Sequence, residues 1–279
     1  MGYKTILVHV DEARNVEARI ATAAAIAIAG SAHLIGAAMT GVSRFLYETM
    51  TVNSGEAEIT PFLESLRQRG RQTLEKFDKL AQQAGVLSFE HRLIDDEAAD
   101  GISLQARYCD LVVLGQYDPF QASQLLNSDF PEYVVMNSGC PVLILPYAGT
   151  FKNPGSRVLI AWNGSMESRH AVHNALPMLR RAQLVEVVVF NPLSQVDRHG
   201  EQPGADIALY LARHGVKVNV REEIVEGNVG NALLSLAADL STDLIVMGCY
   251  GHSRFREVML GGVTRTMLES MTVPVLMSH

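Results

Sequence analysis

Short, continuous apolar runs alternate along this chain with longer segments in which apolar residues recur at helical spacing. In the C-terminal half, the runs predict strands and the segments between them predict helices. Continuous apolar strands separated by helices indicate a parallel sheet covered by helices on both faces. Ligands of such sheets lie beyond the carboxyl ends of the strands. The predicted strands are residues 158–162, 184–190, 216–225, 243–247 and 273–277, and the predicted helices are 165–181, part of 203–214, 228–240 and 263–271.

This pattern of strands and helices occurs twice in the chain, once in each half. Residues 110–117 match residues 243–250, and 140–144 match 273–277, both at an offset of 133 residues. The first strands, residues 5–11 and 157–163, match at an offset of 152 residues, so the first copy carries an insertion, which we place within residues 41–60. Residues 147–155 form a turn-rich linker. We therefore predict a first domain at residues 1–148 and a second at 154–279.

The most distinctive segment follows a predicted buried strand in the second copy. Gly248 and Gly251 are followed after nine residues by Gly261, and Gly262 precedes an apolar helical pattern that begins at Val263. Glycines let the backbone approach a ligand closely, and a helix N-terminus adds a positive dipole at the same place. The spacing predicts a phosphate cradle; the alternative is a tight turn with close packing of helix against strand.

The residues around this loop differ in charge between the two copies. In the second copy, His252 and Arg254 offer positive charge to a phosphate, although a solvated loop would look the same. The first copy has Asp118 and Asp129 where the second has glycines. A carboxylate repels a bound anion and uses the helix N-terminal donors itself. We expect Asp129 to cap a helix, and the first copy not to bind a triphosphate.

Composition narrows the classes of function. The formal net charge is −7 and no basic cluster is present, unlike the basic face of a nucleic-acid binder. No apolar stretch reaches the roughly 18 residues of a membrane span. Three cysteines without Cys-x-x-Cys spacing fit a reducing compartment, so we expect a cytoplasmic protein. His9, His33 and His91 lack metal-ligand spacing, and we interpret them as core or rim residues.

The strand, glycine loop and helix, with the terminal strand that begins at Pro274, resemble the universal stress protein family in its tandem form. The resemblance covers nearly the whole chain. The family signature is Gly-x2-Gly-x9-Gly followed by Ser or Thr, and here Gly262 replaces the hydroxyl residue. The family also tends to carry Asp near the adenosine at the end of the first strand; this chain has Asp11 and then Asn163. The resemblance implies two Rossmann-like domains of the adenine nucleotide alpha hydrolase type, each with a five-stranded parallel sheet and helices on both faces.

The resemblance implies a stress-response regulatory protein that binds ATP or a related adenine nucleotide, with or without Mg²⁺, in the second domain. We expect little or no hydrolysis, because no nucleophile–base pair is visible. The alternatives are a slow ATPase or nucleotide hydrolase, and a module that binds an apolar ligand or a protein partner through the first domain. The nucleotide-binding residues are then Ala161, Trp162, Asn163, Met247, Gly248, Gly251, His252, Arg254, Gly261, Gly262 and Val263.

Two further features bear on assembly and packing. In single-domain relatives the last strand pairs across a two-fold axis, so we expect residues 141–145 and 274–277 to pair within this chain as a pseudo-dimer. A homodimer of the whole chain is also compatible with the sequence. The sequence does not identify a protein partner. Residues 56–85 predict a long amphipathic helix with one apolar face, formed by Phe62, Leu66, Leu74, Phe77 and Leu80.

Overall fold

The computed structural model describes residues 2–43, 56–121, 128–192, 202–250 and 262–279. Residues 2–140 and 141–279 form two compact units. Within the described ranges, no helix combines the length and the apolar character that crossing a membrane requires.

Within the described residues, the first unit contains four parallel strands, which lie side by side in the chain order third, second, first, fourth. Residues 6–8 of the first strand and 111–114 of the fourth are apolar and fully buried, as the continuous runs predict. The strands are β1 (Thr5–His9), β2 (His33–Met39), β3 (Phe89–Ile94) and β4 (Leu111–Gly115), and the helices are α1 (Val16–Gly30), α2 (Glu56–Ala84), α3 (Ala98–Ala106) and α4 (Phe130–Asn137).

Within the described residues, the second unit contains six strands, which lie side by side in the chain order first, sixth, fifth, second, third, fourth. The first and sixth strands pair antiparallel, and every other neighbouring pair is parallel. The alternation of strands and helices in two repeats confirms the predicted α/β fold. The strands are β5 (Val142–Leu145), β6 (Arg157–Ala161), β7 (Leu184–Phe190), β8 (Val218–Glu223), β9 (Leu244–Gly248) and β10 (Val275–Ser278), and the helices are α5 (Met166–Leu179), α6 (Ala205–Arg213), α7 (Val229–Asp239) and α8 (Gly262–Ser270).

The predicted pairing between the last strands of the two repeats is present. Val275 lies opposite Ile144 and Met277 opposite Val142, in antiparallel register. Both strands are buried along their whole length. The last strand of the first sequence repeat is therefore part of the second unit, where it covers the apolar edge that β10 would otherwise expose.

The sheet of the second unit reverses its direction of winding between β6 and β9. These two strands are neighbours, with Ala161 beside Met247. From β6 the chain continues to β7 on one side, and from β9 it continues to β10 on the other. A crevice forms at the carboxyl ends of strands at such a switch point. In this sheet the switch point lies beyond Ala161 and Gly248.

The apolar face of α2 is rotated from the one we predicted. Leu66, Leu74 and Phe77 are buried, but Phe62 is 56% exposed, and Leu63 is buried in its place. Leu63 and Leu66 are three positions apart and share one helix face, whereas Phe62 points about 100° away from its neighbour. The prediction was wrong for Phe62 because its spacing of four from Leu66 also fits a helical face.

Candidate functional site

The ends of β6 and β9 bring together the first group of predicted site residues. Ala161 and Met247 are register partners, and the Trp162 amide donates to the Val188 carbonyl at 2.9 Å. These bonds fix the backbone at the point where the chain leaves the sheet. Residues 161–163 and 247–248 therefore lie close together at the carboxyl ends of two neighbouring strands.

The turn after β6 holds Asn163 by its own backbone. The Asn163 side-chain oxygen accepts a hydrogen bond from the Ser165 amide at 3.1 Å, and Gly164 between them has φ of 68°. The Asn163 side chain is exposed. With its oxygen used by the turn, its amide nitrogen is the group that a ligand in the crevice would meet as a donor.

The N-terminus of α5 completes this edge of the crevice. Ser165 is the N-cap, and its hydroxyl accepts a hydrogen bond from the Ser168 amide at 3.2 Å. A helix N-terminus presents positive dipole and amide donors to an anion. Our sequence analysis did not include this turn among the site residues, although the Gly164-Ser165 pair before a helical pattern was a visible signal.

Gly248 is required by packing against this helix. A Cβ at position 248 would overlap the Ser168 amide nitrogen and would lie 2.8 Å from the Glu167 carbonyl oxygen. These obstacles are backbone atoms, which cannot rotate away as a side chain does. Gly248 therefore lets the end of β9 approach the N-terminus of α5, whether or not a ligand is bound.

The glycine loop is described only at its two ends. The Cys249 amide donates to the Ser278 carbonyl at 3.0 Å, and Tyr250 adopts a left-handed conformation with φ of 54°. At the far end Gly262 begins α8 and Val263 follows it. Four of the predicted site residues lie outside the described residues, namely Gly251, His252, Arg254 and Gly261.

The matching crevice edge of the first unit is filled by a buried charge cluster. Arg19, only 2% exposed, forms an ion pair with Asp11, and His9 Nδ1 lies 3.5 Å from the second oxygen of Asp11. A Cβ on Gly115, the counterpart of Gly248, would lie 2.5 Å from Arg19 Nη1. The guanidinium therefore occupies the space beside the end of β4.

The corresponding positions of the second unit cannot form such a cluster. At the offset of 152 residues, His9, Asp11 and Arg19 correspond to Ala161, Asn163 and Ala171. All three ionisable groups are thus replaced by small or neutral side chains. Sequence analysis missed the role of Arg19, although an arginine inside an alanine-rich apolar helix was a signal that it needs a buried partner.

The cluster shifts the pKa values of its members. Burial lowers the pKa of His9 to about 4, opposed by the nearby Asp11 carboxylate. Burial alone would raise the pKa of Asp11, but the Arg19 guanidinium and His9 outweigh it and hold that pKa below its ordinary value. At neutral pH the cluster therefore consists of a neutral histidine and an ion pair.

The lowered pKa of His9 predicts a loss of stability in acid. Below pH 6.5 the unfolded chain binds a proton on His9 that the folded chain does not accept until about pH 4. The free energy of unfolding should therefore fall by about 3 kcal/mol as the pH drops across this window. Urea denaturation at several pH values measures the slope, and His9→Asn should remove this contribution. The control His170→Asn, at an exposed position, should keep it; an unchanged slope in His9→Asn would contradict the assignment.

Asp118 and Asp129, the two carboxylates of the first-unit loop, have different surroundings. Asp118 accepts a hydrogen bond from the Phe120 amide at 2.8 Å and closes its own turn. Asp129 occupies the N-cap position of α4, but its side chain makes no capping hydrogen bond. The predicted cap is wrong because Asp129 has helical backbone angles, φ −88° and ψ −1°, instead of the extended conformation that turns an N-cap side chain back onto the helix.

The other first-repeat histidines lie apart from the cluster. His33 Nδ1 lies 2.8 Å from the Ser88 hydroxyl, at the end of β2 that pairs with the start of β1. His91 Nδ1 lies 2.8 Å from Asp78. Within the described parts of the chain, no group of three or more His, Cys, Asp or Glu side chains is arranged to hold a metal ion.

Comparison with known proteins identifies the family. Residues 2–146 and 156–279 each match the sequence model of the universal stress protein family. The chain belongs to the universal stress protein family. It is a tandem member, since the two matches together cover nearly the whole sequence.

Curated relatives match this tandem universal stress protein over short stretches. It is similar to universal stress protein Slr1230 of Synechocystis, with 35% identity over 66 residues, 24% of this chain and 22% of that one. It is similar to universal stress protein MJ0577 of Methanocaldococcus jannaschii, with 33% identity over 61 residues, 22% of this chain and 38% of that one. The chain thus matches well under half the length of either relative.

Solved structures match over almost the full length. A universal stress protein from Archaeoglobus fulgidus aligns with a TM-score of 0.72 at 16% identity, covering 98% of this chain and 95% of that one. The functionally unknown protein PA1789 of Pseudomonas aeruginosa aligns with a TM-score of 0.60 at 16% identity, covering 99% and 92%. At this identity the likeness concerns the fold alone.

Proposed function

We propose that this universal stress protein is a stress-response regulatory protein that binds one adenine nucleotide, ATP or a relative, in its second unit. The observation that carries the proposal is the contrast between the two crevices. In the first unit the space beside the end of β4 holds the Arg19 guanidinium. In the second unit the corresponding positions are Ala161, Asn163 and Ala171, so no ionisable side chain stands at these positions near the carboxyl ends of β6 and β9.

The second crevice has the donors that a nucleotide requires. Asn163 and the backbone of residues 161–162 would meet the nucleoside, and the N-termini of α5 and α8 would face the phosphates. Gly262, at the start of α8, is exposed, and no atom of the described residues lies within 4 Å of the position of its missing Cβ. Mg²⁺ would enter together with the phosphates, since the described residues offer no metal-binding cluster of their own.

We further propose that bound nucleotide is hydrolysed slowly or not at all. Hydrolysis needs an oriented water and compensation of the developing charge. Asn163 stands where the first repeat has Asp11, and an amide does not act as a base. Phosphate release at saturating ATP and Mg²⁺ should therefore stay far below about 1 per second, the low end of the usual enzyme range.

Trp162 provides a specific test of where nucleotide binds. It is the only tryptophan of the chain, and it lies one residue from Asn163 at the crevice. ATP should change its fluorescence. Gly251→Asp, which copies Asp118 of the first repeat, should weaken ATP binding by at least about tenfold, because a carboxylate would face the phosphates.

The matched control is the reverse change in the first repeat. Asp118→Gly should leave both the affinity for ATP and the Trp162 response as they are in the wild-type chain. Equal ATP affinity in Gly251→Asp and wild-type protein would contradict the proposed site.

A further inference from the structure

A small polar cavity lies in the first unit, at the carboxyl ends of β1 and β2. Its volume is about 50 Å³, and α2 closes one side with Leu66, Gly70 and Thr73. This is room for a group of a few non-hydrogen atoms, well below the roughly 150 Å³ that accommodates benzene. Glu12 and Arg69, an ion pair with side chains about half exposed, line its solvent side.

Three residues that line this cavity each have a buried side-chain atom without a hydrogen-bond partner among the described residues: His9 Nδ1, Asp11 Oδ2 and Thr40 Oγ1. The first two of these atoms lie 3.5 Å from each other. His9 is 2% exposed and Thr40 1% exposed. Buried polar groups are nearly always hydrogen-bonded, and each unsatisfied one costs free energy. The hydroxyl of Thr40, together with the long contact between His9 and Asp11, therefore favours an occupant that supplies the missing hydrogen bonds.

The buried hydroxyl without a hydrogen-bond partner at position 40 has no equivalent at the matching position of the second unit. Thr40 corresponds to Asn191, since β2 and β7 align at an offset of 151 residues. The side chain of Asn191 donates to the Val225 carbonyl at 3.1 Å and accepts from the Val225 amide at 2.8 Å. Its hydrogen bonds are therefore made within the chain, whereas the hydroxyl of Thr40 is left for an occupant.

The charges around the cavity select a neutral group. Asp11 is ionised and its carboxylate accepts hydrogen bonds only, so the occupant must carry a donor. An anion would face Asp11 and Glu12, and a cation would face Arg69. Arg19, which does not line the cavity, neutralises Asp11, and Arg69 neutralises Glu12, so the two ion pairs carry no net charge. The hydroxyl of Thr40 has a proton to donate, so the occupant should also carry an acceptor.

We propose that this cavity is a binding site for a small neutral head group with both a donor and an acceptor, a primary carboxamide or an alcohol. The polar atoms favour such an occupant over the apolar ligand considered from the sequence. The site lies in the first unit and is independent of the nucleotide proposed for the second. Its failure would leave the nucleotide proposal untouched, because the two are read out with different probes.

The test uses probes of nearly equal shape and different charge on the full-length protein. Acetamide, isopropanol, acetate and acetamidinium are titrated separately, and binding is followed by ligand-observed NMR. Acetamide or isopropanol should bind at least about tenfold more tightly than acetate and acetamidinium. The better of these two neutral probes distinguishes an amide site from an alcohol site. Tighter binding of either ion, or no binding by any probe, would overturn the proposal.

Thr40→Val is the matched variant, because it removes the hydroxyl and keeps the shape of the side chain. Its melting temperature should be equal to or above that of the wild type, since the hydroxyl has no hydrogen-bond partner in the described structure. The neutral probe should bind at least about tenfold more weakly to it. Thr73→Val, which removes a hydroxyl bonded to the Arg69 and Gly70 carbonyls, should keep probe binding. Unchanged binding in Thr40→Val would refute the site.

Discussion

Replacing Arg19 by methionine should lower the free energy of unfolding by about 3–5 kcal/mol. Methionine keeps most of the length of the side chain but removes the positive charge. Asp11, whose side chain is 15% exposed, would then be a buried carboxylate without its cation. Breaking a buried ion pair on one side is costly because the remaining charge stays desolvated.

The double variant separates charge from packing. Arg19→Met with Asp11→Asn introduces the neutral residue found at position 163 in the second repeat and should recover more than half of the loss. Urea denaturation followed by far-ultraviolet circular dichroism gives the four free energies of the double-mutant cycle. A loss below about 1 kcal/mol in Arg19→Met, or losses that simply add in the double variant, would contradict the role assigned to the pair.

Gly248→Ala should destabilise the second unit by about 3 kcal/mol, the upper part of the range for overpacking. The added Cβ would overlap the Ser168 amide nitrogen, so either β9 or the first turn of α5 has to move. Trp162 lies in the same unit, and its fluorescence during urea denaturation reports the loss. ATP affinity should fall as well, because the moved elements form the crevice.

Gly262→Ala is the matched control for this prediction. In the part of the chain that the structure describes, nothing lies within 4 Å of the position of its added Cβ, and Gly262 is the first residue of α8. Its unfolding free energy should stay within about 0.5 kcal/mol of the wild type. Equal stability of the two variants would show that the close approach at Gly248 is not required for the fold.

The repeats and the strands were predictable from the sequence because they depend on local patterns. Buried parallel strands read as continuous apolar runs, and residues 110–117 and 243–250 share one such run with its glycine. The pairing of β5 with β10 followed from the resemblance to single-domain relatives. The boundaries shifted by one or two residues, as at α5, where the predicted 165–181 became Met166–Leu179.

Features that depend on a partner distant in sequence were not predictable. Gly248 reads as part of a phosphate cradle, and only the structure shows that the backbone of Glu167 and Ser168 already requires a glycine there. Arg19 looks like a surface charge on a helix until its ion pair with Asp11 is seen. The orphaned hydroxyl of Thr40 has no sequence signal, because burial and hydrogen bonding depend on tertiary packing.

Native mass spectrometry of the full-length protein with saturating ATP tests the central claim most directly, since it counts nucleotides on each chain. The asymmetry between Arg19 and Ala171 predicts one adenine nucleotide per chain, lost in Gly251→Asp and retained in Asp118→Gly. Two nucleotides per chain, or none, would contradict this account.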